Sequence, residues 1–316
     1  MNKTDSSTVP AGIDVSKRRL DVAIGADGPE LLVDNDPAGR QQLIDWLGQS
    51  GVGVVGLEAS GGYEQPVCQA LAAAGLVVYV HQPLEVRLFA RLNRQRAKND
   101  RLDARLIAIA TARLDTLQGV ADPRLAELAQ RLTAYEQASD RVSMFKSQLE
   151  HVDLADLQAR LKEHLAVLIA HKQALADDLE QRLLAHADLA ERLRLLRSLP
   201  GFGPVVALGC VIRMPELGSM RPGQPAALLG VAPFDNDSGP RKGQRCIAGG
   251  RARPRRLVYL AALAAKRHDP GFKAFAERLH KAGKPPKLII VAIMRKLIEA
   301  ANLVLARKTP WTKALP

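Results

Sequence analysis

Four acidic residues occupy positions where a carboxylate is unusual, and together they could hold divalent metal ions. Asp14 lies inside the apolar pattern "AGIDVS", and Glu58 ends the apolar run "VGVVGLE". A buried carboxylate is costly unless a cation or metal ion accompanies it, or the strand ends there in solvent. Asp100 and Asp103, in "AKNDRLDARLIA", are three residues apart and share one face if that segment is helical. Two like charges side by side also require a cation between them.

The second pair of acids lies in a strongly basic stretch. Seven cations surround it: Arg87, Arg91, Arg94, Arg96, Lys98, Arg101 and Arg105. One interpretation is an exposed helix with local Arg–Asp pairs. The other is a cluster of all four carboxylates. It forms if the strands carrying Asp14 and Glu58 run parallel side by side and the helix with Asp100 and Asp103 joins them.

Such a cluster would suit phosphodiester chemistry. Four hard oxygen donors are typical ligands of Mg²⁺ or Mn²⁺, and a pair of these ions can clamp the attacking and leaving oxygens of a phosphodiester. The neighbouring cations Arg94, Lys98 and Arg101 would guide a nucleic-acid backbone towards the metal. The cluster explains four unusual placements together, whereas an exposed helix explains only two of them.

A serine in a loop rich in Gly and Arg is a candidate nucleophile. Ser238 lies in "NDSG" and is followed by Arg241, Lys242 and Arg245. A serine hydroxyl becomes nucleophilic when a base, a metal ion or a dense positive field activates it. Its attack on a phosphodiester would conserve the bond as a phosphoserine–DNA ester. A plain Ser-Gly turn is the alternative, and the seven histidines show no spacing typical of a triad or a metal site.

The hydrophobic patterns predict an α/β region followed by α-helical regions. Residues 10–121 read as strand, strand, strand, helix, strand, helix, strand, the order found in ribonuclease-H-like folds. The first helix should begin after Asp36, with Pro37 at its first position. Residues 1–9 are expected to be a disordered tail.

The sequence pattern of residues 122–196 predicts long helices. Gly and Pro are almost absent after Pro123, and leucines recur at three- and four-residue spacing. This pattern is typical of a helical hairpin or coiled coil that forms an oligomer contact. A single packed helical bundle is an equally good interpretation.

Residues 197–316 form a third, helical region that opens with "LPGFGP". The turn at Gly201 and Gly203 could present backbone N–H groups to a phosphate, as helix–hairpin–helix motifs do. A structural turn without a ligand is the alternative.

The net charge of +12 is unevenly distributed. Residues 1–193 contain 22 Lys and Arg against 27 Asp and Glu, a balance of −5, whereas residues 194–316 contain 23 against 6, a balance of +17. A basic cluster of this size favours a phosphate backbone as partner, because binding releases condensed counterions. Aromatic residues make up only 4% of the chain, which argues against a stacking platform of the kind that grips single-stranded nucleic acid.

Other features indicate a cytoplasmic protein. Cys68, Cys210 and Cys246 lack metal-ligand spacing and fit free thiols in a reducing compartment. The start, "MNKTDSSTVPAG", lacks the apolar core of a signal peptide. No apolar run is long enough to span a membrane, so we expect no membrane partner.

Taken together, the motifs resemble those of the "one-ten" family of insertion-sequence transposases. "GIDVSK", "LEASGGYE" and "AKNDRLDA" are similar to the motifs that carry the family's four acids, which correspond to Asp14, Glu58, Asp100 and Asp103. "LPGFGP" and "DSG…RCIAGGRARPRRLVYLAA" resemble the family's C-terminal transposase domain, with Ser238 at the position of the nucleophile. The resemblance covers nearly the whole chain.

The resemblance implies a RuvC-like domain with a metal-binding set of four acids, and a recombinase that forms a covalent DNA intermediate through Ser238. It also implies double-stranded DNA substrates (element ends and target), a noncoding bridge RNA as guide, and a dimer or tetramer with a composite active site. The arginines of the last motif are expected to bind nucleic acid: Arg251, Arg253, Arg255 and Arg256.

Two departures and two rival functions accompany the resemblance. Asn99 replaces the family's usual Thr, and the family's Ile-Ser-Lys-x-Gly reads "IAGG" at residues 247–250, where Arg251 and Arg253 could compensate for the missing Lys. The first rival is a metal-dependent Holliday-junction nuclease in which water attacks and Ser238 is structural. The second is a catalytically degenerate nucleic-acid-binding protein.

Overall fold

The computed structural model describes residues 9–92, 100–114, 122–234, 243 and 245–312; the side chains of residues 100–102 lie outside that description. The chain divides into two compact units, Met1–Ala126 and Glu127–Pro316.

The first unit is built on a five-stranded mixed sheet of order β3-β2-β1-β4-β5. β2 runs antiparallel to β1 and β3, whereas β4 is parallel to both β1 and β5. The strands are β1 Ala11–Val15, β2 Arg19–Ile24, β3 Glu30–Asp34, β4 Val54–Glu58 and β5 Val77–His81. The helices are α1 Pro37–Gln49, α2 Gln65–Ala73, α3 Pro83–Leu92 and α4 Asp100–Ala112.

The local sequence explains where these elements begin and what they bury. The Asp36 side chain caps α1 by accepting a hydrogen bond of 2.7 Å from the backbone N–H of Gly39, and Pro37 takes the first helical position, as predicted. One face of the sheet carries Ile13, Leu20 and Leu57, which pack with leucines of α1 and α2 in a dry core. The opposite face is covered by α4.

In its described residues, the second unit is helical apart from one short hairpin. Its helices are α5 Pro123–Leu149, α6 Ala155–Leu184, α7 Ala187–Arg197, α8 Pro204–Arg213, α9 Gln224–Leu229, α10 Ala252–His268, α11 Pro270–Lys281 and α12 Pro286–Arg307. The hairpin pairs β6 Pro233–Phe234 with β7 Cys246–Ile247. The mixed N-terminal sheet and the mostly helical remainder confirm the α/β plus α class that the sequence predicted.

α5 and α6 lie antiparallel, as two contacts between them show. The Phe145 ring stacks on His164 with centroids 4.8 Å apart. Farther from the loop that joins the two helices, Arg131 binds Asp178 at 2.8 Å. Only two leucines near the end of α6 are buried, Leu179 and Leu183, so the rest of its leucine series is half-buried or exposed.

α10 and α12 form the centre of the remaining helices, together with α8, α9 and α11. Asn302, a buried polar residue of α12, accepts a hydrogen bond of 2.7 Å from the N–H of Gly218 and donates one to the carbonyl of Met220. This fixes the loop that follows α8. No helix in the described ranges has the length and apolar character needed to cross a membrane.

Candidate active site and nucleic-acid surface

Two of the predicted acids lie at matching positions on neighbouring parallel strands. β1 and β4 pair in register up to Ile13 and Leu57, and Asp14 and Glu58 are the next residue on each strand. The condition that these two strands run parallel side by side is therefore met. Because cross-strand neighbours point to the same face of a sheet, the two side chains share one face.

The strands on either side, β2 and β5, each place a polar residue next to this pair. Asp21 of β2 is the register partner of Asp14, and His81 of β5 is the register partner of Glu58. Like charges directly opposite one another destabilise a sheet, and a bound cation relieves this cost. Asp21 was not singled out by sequence reasoning, because its register with Asp14 depends on the turn between β1 and β2. The "RLDVAIG" pattern alone indicates only that a carboxylate interrupts a second apolar strand.

α4 covers the face that carries these acids, and two glycines permit its close approach. A Cβ on Gly12 would lie 2.1 Å from the carbonyl oxygen of Ala104 and 2.3 Å from the backbone nitrogen of Ala108. A Cβ on Gly56 would lie 1.9 Å from the hydroxyl oxygen of Thr111. Gly12 is two residues before Asp14 and therefore on the same face. The helix that begins with Asp100 and includes Asp103 thus packs on the acid-bearing side of the sheet.

His81 and Thr111 join α4 to the sheet through a buried hydrogen bond. His81 Nε2 and the Thr111 hydroxyl oxygen are 2.8 Å apart, and that hydroxyl donates to the carbonyl of Ile107 at 2.7 Å. The hydroxyl proton is used within the helix, so the histidine donates through Nε2–H. Burial lowers the pKa of His81, while the nearby Glu85 carboxylate opposes that shift. Sequence spacing could not reveal this contact, because it depends on the packing of α4.

The chemistry of these donors fits a hard divalent cation, since carboxylate oxygens are the preferred protein ligands of Mg²⁺. In the described part of the chain, however, no three His, Cys, Asp or Glu side chains are grouped closely enough to hold a metal ion. The side chain of Asp100, the fourth predicted ligand, lies outside that part. The donor types therefore fit a metal, whereas a complete set of ligands is not assembled by the described residues.

The predicted nucleophile falls in the connection between β6 and β7. Ser238, Arg241 and Lys242 lie outside the described residues, as do Arg94 and Lys98 and the side chain of Arg101. The two ends of the connection are joined, because Phe234 pairs with Cys246 and Pro233 with Ile247. Arg245, the last residue before β7, is exposed.

The four predicted nucleic-acid-binding arginines that follow all contact other groups. Arg251 binds Glu216 at 2.6 Å and Arg253 binds Glu136 at 3.2 Å. Arg255 donates to the carbonyl oxygens of Gly249 and Gly230, at 2.7 and 3.3 Å. Arg256 binds Asp140 at 2.5 Å, a pair in which both side chains are more than half exposed. Exposed ion pairs of this kind contribute little stability, so a phosphate can displace them.

The two glycines of "IAGG" have conformational roles. Both adopt positive φ, 64° for Gly249 and 70° for Gly250. A Cβ on Gly250 would lie 2.2 Å from the backbone nitrogen of Gly230. Gly250 is therefore required by a close backbone approach.

The predicted phosphate-binding turn also has a packing role. Gly201 has φ 77°, and a Cβ there would lie 2.2 Å from the carbonyl oxygen of Ala261 in α10. The N–H of Gly203 donates to the carbonyl of Gly201 at 3.0 Å, and that of Phe202 donates to Leu199. These contacts account for the glycine at position 201 without a ligand. Phosphate binding by Gly201 and Gly203 therefore stays a prediction.

All three cysteines are free thiols. Burial raises the pKa of Cys210 to about 12. Burial, with the nearby Glu64 carboxylate, raises the pKa of Cys68 to about 12. Neither thiol is a candidate nucleophile, because only the thiolate attacks.

Comparison with known proteins identifies the class of enzyme. A DEDD transposase model of the IS110 group, described as Transposase, matches residues 11–154, and a second model, described as Transposase IS116/IS110/IS902 family, matches residues 193–277. The two matches include the acid-bearing sheet and the arginine-rich helices. The protein is therefore a transposase, an enzyme of DNA recombination. The chain belongs to the IS110 family.

Two curated relatives extend the similarity to the whole length. The Pilin gene-inverting protein of Moraxella bovis is 24% identical over 323 residues, which cover 96% of this chain and 98% of the relative. The protein of the same name from Moraxella lacunata has the same identity and coverage.

Proposed function

We propose that the chain is a metal-dependent, site-specific transposase in which Ser238 attacks a DNA phosphodiester. The observation that carries this proposal is the register of the sheet, with Asp14 and Glu58 at equivalent positions of adjacent parallel strands and α4 over the same face. The strand order β3-β2-β1-β4-β5 supports a ribonuclease-H-like, RuvC-like fold for this unit. The names of the two gene-inverting relatives support site-specific recombination as the outcome.

Asp14, Glu58, Asp100 and Asp103 would hold Mg²⁺ or Mn²⁺. Bound there, the ion would withdraw charge from the phosphodiester and its leaving oxygen. Asp21 would stand beside Asp14 and add negative charge to the site.

In the chemical step, the Ser238 oxygen forms a bond to phosphorus and the bond from phosphorus to the sugar oxygen breaks. The serine proton ends on the released sugar hydroxyl, and the phosphate remains joined to the serine. Reversal of the step onto a second strand completes strand exchange without an external energy source. Arg241, Lys242 and Arg245 would stabilise the negative charge on the phosphate in the transition state.

A noncoding bridge RNA and additional subunits are the proposed partners. The strongly basic segment 194–316 supports binding of nucleic acid beyond the substrate alone. The half-buried leucines of α6 support a coiled-coil contact with a second copy. The proposed domains are a RuvC-like domain at 10–121, an assembly segment at 122–196 and a transposase domain at 197–316. Action at the nucleoid follows from the substrate.

The guide can be tested by expressing the full chain together with its native flanking DNA and sequencing the RNA that stays bound through a high-salt wash. The proposal predicts one discrete flanking transcript whose loops match the element junctions. A heterogeneous mixture of RNAs, or DNA alone, would contradict RNA guidance and favour the junction nuclease.

A further inference from the structure

A basic groove lies beside the hairpin whose connection contains Ser238. It has a volume of about 580 Å³ and is bordered by β7, α10 and the start of α12. Its cations are Arg245, Arg255, Arg256 and Lys287, and none of its described lining residues is acidic. The larger cavity between α11 and α12, about 810 Å³, differs because it includes Asp269 and Glu299.

The rest of the groove's lining is apolar and includes one aromatic ring. Tyr259 of α10 is 42% exposed and Leu288 of α12 is 46% exposed. Val291 and Met294 complete the apolar wall. A surface with cations around an apolar, ring-bearing interior is complementary to a nucleotide, whose base is apolar on its faces and whose phosphate is anionic.

We propose that this groove binds one unstacked nucleotide of the DNA strand that Ser238 attacks, with its base against Tyr259. This assignment rests on the proposed function, since the bound strand is defined as the strand that Ser238 attacks. The volume is in the range of small-molecule pockets, which admits one nucleotide and excludes a turn of duplex. A single ring also fits a chain with few aromatic residues, because one base needs only one stacking partner.

The position of the groove favours the attacked DNA strand over a distant segment of RNA. Ser238 follows Phe234 by four residues in the sequence, and four residues of chain span at most about 14 Å. Ile247 of β7 borders the groove and pairs with Pro233. A DNA strand attacked by Ser238 would therefore pass close to the hairpin that borders the groove.

Photo-crosslinking of the purified full chain tests the assignment. The probe is a short single-stranded oligothymidine in which one base is 5-iodouracil, which crosslinks to aromatic rings that it stacks on. The groove predicts a crosslinked peptide that contains Tyr259. A crosslink confined to peptides outside the groove overturns the proposal. Stronger competition by the matching ribo-oligonucleotide also overturns it, in favour of an RNA site.

Binding measurements over a range of salt concentrations supply the energetic test. Tyr259→Leu should weaken binding about tenfold, whereas Tyr259→Phe, which keeps the ring, should bind as the parent does. Lys287→Ala should lower the salt slope by about 1, whereas Lys273→Ala, an exposed lysine of α11, should leave it unchanged. Unchanged affinity in both Tyr259→Leu and Lys287→Ala overturns the proposal.

The experiments distinguish a wrong assignment of the groove as a nucleotide site from a wrong assignment of Ser238 as the nucleophile. Ser238→Ala should keep the Tyr259 crosslink and lose only covalent attachment to DNA. A covalent adduct without the crosslink would refute the groove alone. A crosslink without any adduct in the parent protein would refute Ser238 as nucleophile.

Discussion

Gly12 determines how closely the acid-bearing face of the sheet can approach α4. The backbone of Ala104 and Ala108 occupies the space that a side chain at position 12 would need. The carboxylate of Asp14 and that of Asp103 lie on the two elements that meet at this contact. A glycine at this position thus allows the two elements to pack closely.

Gly12→Ala should destabilise the protein by about 1–3 kcal/mol and reduce recombination, because the new methyl group meets backbone that can move only if α4 is displaced. Gly53→Ala is the matched control, since nothing lies within 4 Å of a Cβ there. Urea unfolding of both variants measures the effect. Equal stability of the two would show that α4 does not pack as described.

His81 makes the stability of the first unit depend on pH. Burial lowers its pKa from the ordinary value of 6.5, so below that pH the unfolded chain binds a proton that the folded chain resists. Stability should therefore fall as the pH drops below 6.5 and be fully present above it. Thermal unfolding across this range measures the effect, and His81→Gln, which does not titrate, should show a flatter profile. Identical profiles would contradict a buried neutral His81.

At the scale of elements, the hydrogen bond from His81 to Thr111 holds α4 against β5. Thr111→Val removes the acceptor and leaves a buried N–H without a partner, at a cost of about 1–3 kcal/mol. Thr111→Ser keeps the hydroxyl and should restore most of the stability. The concentration of Mg²⁺ needed for half-maximal recombination should rise in the Val variant, because the helix that carries Asp100 and Asp103 is less firmly held. An unchanged Mg²⁺ requirement would assign this contact a structural role only.

The leucine series of α6 should make contact between subunits. Leu161 and Leu165 are only half-buried within one chain. Changing both to Lys should lower the molar mass in light scattering and leave the helical circular dichroism intact. Glu163→Lys, an exposed change on the same helix, is the control. A mass unaffected by the leucine changes would place the assembly contact elsewhere.

Local patterns predicted most elements of the first unit correctly. The alternation of β2, the Asp36 cap of α1 and the end of β4 at Glu58 are local signals, and each occurs as expected. Asp21 and His81 were missed because their importance comes from register and from helix packing, which no local pattern encodes. Tyr259 was missed for the same reason, since its neighbours Lys287 and Leu288 come from a helix much later in the chain.

At the scale of the whole molecule, the acidic residues are concentrated in the first part of the chain, whereas Lys and Arg are nearly equally numerous in both parts. The predicted metal ligands lie in the first unit, whereas segment 194–316 has a balance of +17. Many of its arginines nevertheless contact acids of the same unit, such as Glu136 and Glu216. Sequence composition could predict the nucleic-acid partner, but it could not show that Arg251 and Arg253 are already paired.

The proposed recombination mechanism depends most on a covalent bond between Ser238 and DNA. The direct measurement is to incubate the full chain with native flanking DNA and Mg²⁺, digest the trapped complex and locate the DNA-linked peptide by mass spectrometry. The mechanism predicts that DNA is attached at Ser238, and that no DNA is attached in Ser238→Ala or Asp14→Asn. DNA cleavage that persists in Ser238→Ala without any adduct would contradict it and identify a nuclease that uses water.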